Sequence, residues 1–177
     1  MAFTYWPIGV GLGVLAVAAA LNHQSNRVPN PLAFGMIAAG WAAAGLLVGS
    51  GLAPSAGGGL AGSVVCTFVA LAVMLPAYVM GFMPAGCVKA QMAFGAWLGC
   101  ALALGPAIAA TVIATFVGQL AAAAAATIYH LRQKAQAEDR DEPPHAGQPA
   151  QLFPIQTPIA LGSLCGIAAT FWLGFAG

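Results

Sequence analysis

Every Asp, Glu, Lys and Arg in this chain lies in one of three short segments, and the apolar stretches between them carry no charge. Arg27 occupies the first segment and Lys89 the second. Arg132, Lys134, Glu138, Asp139, Arg140, Asp141 and Glu142 make up the third, and His23, His130 and His145 fall in the same three places. A Lys, Arg or Asp at the centre of a membrane helix costs roughly 2.5 to 3.5 kcal/mol on insertion scales, so charges retreat to helix ends. The pattern predicts an all-α, polytopic membrane helical bundle with its polar chemistry gathered on one face of a lipid bilayer. With 60% hydrophobic and 5% charged residues, no stretch is polar enough for an independent soluble domain, and residues 1–177 read as a single membrane domain. The balance of charge is near neutral and the third segment is mixed in sign, so nucleic acid is not an expected partner.

Crossing a hydrocarbon core of about 30 Å takes about 20 helical residues. Spans are expected near 4–21, 32–50, 59–80, 90–105, 107–129 and 155–176, giving six transmembrane helices. Gly105-Pro106 is the only punctuation between the fourth and fifth; as a turn it gives six helices, as a kink five. Six spans put Arg27, Lys89 and the 130–153 linker on one side, which the positive-inside rule makes cytoplasmic, and both termini are then extracytoplasmic. Five would separate Lys89 from the later basic cluster. The first apolar run has no basic region before it and reads as a permanent helix rather than a signal peptide. The linker starts as a helical extension of the fifth span and breaks at Pro143-Pro144, which suits either a solvated connection or a docking arm.

Small residues recur four apart at Gly9/Gly13, Gly45/Gly49 and Gly95/Gly99, the spacing at which helix backbones approach closely, within one chain or between subunits. The run Ala56-Gly57-Gly58-Gly59 lacks the Lys-Ser/Thr that follows a phosphate loop and reads as a turn. Cys66, Cys100 and Cys165 fall in expected spans as small apolar side chains, and Cys87 alone falls in a polar loop. No Cys-x-x-Cys or Cys-x-x-His spacing occurs, so neither a metal site nor a cofactor is expected.

Three polar segments carry a resemblance. The first reads Asn22-His23-Gln24-Ser25-Asn26-Arg27-Val28-Pro29-Asn30 and the second Pro84-Ala85-Gly86-Cys87-Val88-Lys89; the third runs from Leu152 through Pro154 and Pro158 to Gly162. Together they resemble the small type IV prepilin peptidases, intramembrane aspartic proteases of the bacterial inner membrane that process pilin precursors. That family shows an Asp, then a basic residue before Ile-Pro-Asn, then Gly-x-Gly-Asp-x-Lys at the next cytoplasmic loop. The resemblance is most specific at Arg27, Pro29, Asn30, Gly86 and Lys89. It departs where the chemistry resides: the first catalytic Asp falls on Asn22, the second on Cys87, and the opening Gly of the second motif is Pro84.

Aspartic proteolysis needs two carboxylates sharing one proton, and neither Asn22 nor Cys87 supplies one. The resemblance therefore implies the fold and the relict positions without the activity. Asn30 before Pro31 suits a helix start, Asn22 suits a helix end, and Arg27 and Lys89 suit cytoplasmic anchors. A Cys87 and His23 nucleophile pair would lack an orienting acid. Three functions remain open: a structural or assembly subunit partnered by other membrane proteins, a peptidase for pilin-like substrates captured in an inactivated form, or a channel or transporter component. The last needs polar groups at mid-membrane, for which Gln91, Gln119 and Thr111 are the candidates.

Overall fold

Apolar runs bounded by proline and glycine fold into six helices, and the described residues, 6–25, 28–52, 58–138 and 156–172 of a computed structural model, contain no strand. The helices are α1 (Trp6–Ser25), α2 (Asn30–Gly49), α3 (Leu60–Val79), α4 (Ala85–Ala101), α5 (Leu104–Glu138) and α6 (Gln156–Trp172). Among the described residues three stretches are long and apolar enough to cross a membrane: Asn30–Gly49, Leu60–Val79 and Leu104–Arg132. The apolar parts of α1 and α6, Trp6–Leu21 and Pro158–Ala168, are shorter.

Two helices stop by the same device. Gly51 after α2 and Gly81 after α3 take left-handed backbone, φ 71° and 76°. That conformation lets the Leu52 N–H reach the Leu47 carbonyl at 3.0 Å and the Phe82 N–H reach the Ala77 carbonyl at 2.9 Å. Both are the closing bond of a Schellman motif, which satisfies carbonyls that the helix end leaves open.

The break between α4 and α5 falls at Leu102 and Ala103 rather than at Gly105-Pro106. Leu102 is extended, with φ −115° and ψ 157°. Pro106 lies in the first turn of α5, where the N–H that it lacks has no intrahelical acceptor to lose. α4 also begins before residue 90, so Cys87 and Lys89 are helical rather than part of a polar loop. α5 continues to Glu138, as the expected extension of the fifth span required.

α4 is the central helix, and every residue from Ala93 to Leu102 is buried. It packs against α1, α2 and α3 and more lightly against α5; α6 lies along α5 and closes the bundle against α1. Large apolar side chains such as Leu46, Val79, Phe82 and Leu161 are at least 60% exposed, so apolarity does not separate inside from outside. Size and polarity do. The interior is rich in Ala and Gly and holds Ser63, Thr67, Gln91, Thr111, Thr115 and Ser163. Interhelical bonds hold several of its polar groups: Ser63 Oγ donates to the Ala96 carbonyl at 2.7 Å, Trp41 Nε1 to Thr67 Oγ1 at 3.1 Å and Trp97 Nε1 to the Met36 carbonyl at 3.1 Å. Small-residue packing and such bonds are the forces that would be left to these helices in hydrocarbon.

Candidate functional site

The two motif segments meet at the end of the bundle where α2 and α4 start. Pro29, at φ −60° and ψ 134°, leads into α2, and Pro84, at φ −73° and ψ 150°, leads into α4. Each proline's fixed φ suits the extended residue that opens a helix. Lys89 Nζ donates to Asn30 Oδ1 at 2.7 Å across 59 positions of sequence. The same ammonium lies 5.5 Å from the centre of the Phe34 ring, within cation–π range. Gly86 faces Val28, and a methyl group on Gly86 would stand 3.2 Å from the Val28 Cβ.

Asn30 is therefore not the cap of α2. Pro29 takes that position, and the Asn30 side chain is spent on Lys89 instead of on its own helix. Lys89 is more than a free anchor, because it ties α4 to the start of α2. Asn22 lies in the last turn of α1 rather than beyond its end, and its side chain, with that of His23, is outside the described residues. Arg27 is outside them altogether, as are Asp139, Arg140, Asp141, Glu142 and His145.

Cys87 is completely buried, among Met74, Met83, Val88, Ala122 and Ile159. A thiolate in that setting would have neither water nor a cation to stabilise it, so the sulfur behaves as a small apolar group. All four cysteines are free thiols, and only Cys165 is exposed. Among the described residues no three His, Cys, Asp or Glu gather as a metal site.

A second polar cluster lies inside the bundle. Gln91 Nε2 donates to Ser163 Oγ at 2.7 Å and joins α4 to α6, while Gln119 Nε2 donates to the Val73 carbonyl at 2.9 Å and joins α5 to α3. Thr111 Oγ1 returns to the Ala107 carbonyl of its own helix at 2.8 Å. Gln91 and Gln119 thus act as ties between helices, the packing role that competes with a transport role for them. Gln91 Oε1 and Thr115 Oγ1 are buried without a hydrogen-bond partner. Ser163 and Thr115 did not stand out from the sequence; their signal was a hydroxyl amid small residues on a helix face, which exposed Thr127 shares.

The chain matches no protein-family model, no curated protein and no solved structure. Its functional reading rests on these residues.

Proposed function

We propose that this protein is a six-crossing protein of the bacterial cytoplasmic membrane, built on a prepilin-peptidase-like framework, that acts without proteolysis as a structural or assembly subunit. The observation that carries the reading is the junction of the two motif segments. Lys89 bonded to Asn30, and Gly86 against Val28, bring the two motif segments together, and a buried thiol, Cys87, occupies the position that the resemblance gives to the second acid. Two carboxylates sharing a proton are the minimum for aspartic proteolysis. The chain's four acids all lie between positions 138 and 142, remote in sequence from both motifs.

In this reading α1, α4 and α6 cross together with the three long helices. α4, at 17 residues, spans about 25 Å and is shielded by its neighbours from contact with lipid. Six crossings keep Arg27, Lys89 and the 130–153 segment on the cytoplasmic side and both termini outside. The partners are other membrane-protein subunits.

A leader-cleavage assay on a pilin-like precursor tests the loss of activity. The unaltered protein is expected to release no leader, whereas cleavage that disappears in Cys87→Ser would show a site rebuilt around the thiol and end the non-proteolytic reading. Orientation is tested separately, with an impermeant thiol reagent on a variant carrying Ser55→Cys as its sole cysteine. Labelling is expected from the extracytoplasmic side, and labelling from the cytoplasmic side alone would reverse the topology.

A further inference from the structure

We infer that the cleft between α3 and α5 is a binding site for one anionic phospholipid, with an acyl chain laid along α5 and the headgroup at His130 and Lys134. The inference rests on the membrane reading above. The cleft encloses about 560 Å³, and its walls include Ala77, Phe82, Phe116, Leu120, Ala123 and Thr127, with His130 at one end. Small residues at Ala123 and Ala126 open space between Phe116 on one side and the loop residues Phe82 and Met83 on the other.

Three features point to a lipid rather than to a protein helix or a soluble ligand. The lining is mainly apolar, and two polar side chains within it are held by the protein itself, Gln119 Nε2 donating to the Val73 carbonyl at 2.9 Å and Thr127 Oγ1 to the Ala123 carbonyl at 2.9 Å. From Phe116 to His130 the cleft follows α5 for about 21 Å at 1.5 Å per residue. That matches one leaflet, half of a bilayer of about 40–45 Å including its headgroups.

The charge at the end of the cleft fits as well. Positions 116, 120, 123, 127, 130 and 134 follow one another at spacings of three and four, so they share one face of α5. Lys134, exposed on that face, lies one turn beyond His130, where a headgroup phosphate would reach it. Arg132 adds positive charge on another side of the same turn, and the first acid of α5, Glu138, stands one turn beyond Lys134. Basic positions beside a gap between membrane helices are the recurring setting for anionic headgroups.

The test uses the purified full chain in detergent, with dioleoyl-phosphatidylglycerol and dioleoyl-phosphatidylcholine as probes at equal mole fraction. Phosphatidylglycerol is expected to raise the unfolding temperature at least about 3 °C more than phosphatidylcholine does, and to remain bound as one molecule in native mass spectrometry. Ala123→Trp, which fills the cleft, should abolish both effects. The double variant His130→Ala with Lys134→Gln removes the headgroup end and keeps the cleft walls from Phe116 to Thr127, and should make the two lipids equivalent even if Ala123→Trp does not fold. Val17→Trp, on the separate cleft between α1 and α2, should change neither effect. Equal responses of the unaltered protein to both lipids, or a phosphatidylglycerol preference that survives the double variant, would overturn the site. Absence of the chain from the membrane fraction would instead overturn the membrane reading on which the site depends.

Discussion

Gly95/Gly99 in α4 and Gly45/Gly49 in α2 share one spacing and one composition, yet they have opposite surroundings. A methyl group on Gly99 would run into the Gly62 backbone of α3, and one on Gly95 would stand 2.5 Å from the Cys66 carbonyl oxygen. At Gly45 and Gly49 the same addition meets nothing within 4 Å. The motif permits close approach, and only a neighbour of matching shape makes use of it. Gly9/Gly13 resembles the open case. Gly162/Gly166 in α6 is a closed case that the sequence had not singled out, with methyl positions 2.7 Å from the Gly118 Cα and 2.6 Å from the Ala114 Cα of α5.

The comparison can be broken most directly at Gly99. Gly99→Val overlaps backbone that cannot rotate away, and is expected to cost more than about 3 kcal/mol, enough to lose the folded protein or most of its thermal transition in detergent. An unfolding temperature within a few degrees of the parent would show that α3 and α4 do not meet there.

A smaller effect is expected at Ser163, where the contact is polar. Ser163→Ala leaves the buried Gln91 Nε2 without its acceptor, beside an Oε1 that already lacks a partner. The expected cost is about 1–2 kcal/mol, seen as a drop of several degrees in the unfolding temperature. No change would mean that Gln91 finds another partner, and that the glycine and apolar contacts of α6 hold it without the Ser163 bond.

Gly45→Ala marks the other extreme, because it adds helix propensity and meets no neighbour. Stability should stay level or rise by up to about 1 kcal/mol. A fall larger than that would sharpen the contrast in another direction, since it would mean that the outer face of α2 is covered by another molecule when the protein is folded.

The motif region shows how far the sequence reaches toward a site. The start of α2 was legible at Asn30-Pro31, because a fixed φ acts through its own residue, whereas α4 was expected to begin near residue 90 and begins at Ala85. That Asn30 would serve Lys89 instead of its own helix was not legible. A side-chain amide has local and distant partners of similar worth, and the choice depends on where α4 lies. Cys87 was misplaced for a related reason. Its neighbours in sequence are a loop and a lysine, but its neighbours in space are Met74 of α3, Ala122 of α5 and Ile159 of α6.

The sequence by itself determined six helices, the confinement of charge to their ends, and the absence of a carboxylate from positions 22 and 87. Each follows from identity or local periodicity: a charge avoids hydrocarbon wherever the helix goes, and an Asn or a Cys cannot act as a carboxylic acid in any fold. The tertiary structure alone decided that α4 is central, which glycine pairs touch, and that Gln91 reaches Ser163. In a chain this apolar, the hydropathy of a face no longer marks it as inner or outer. The packing partner is selected by shape and by a few hydrogen bonds, and those depend on residues far apart in sequence.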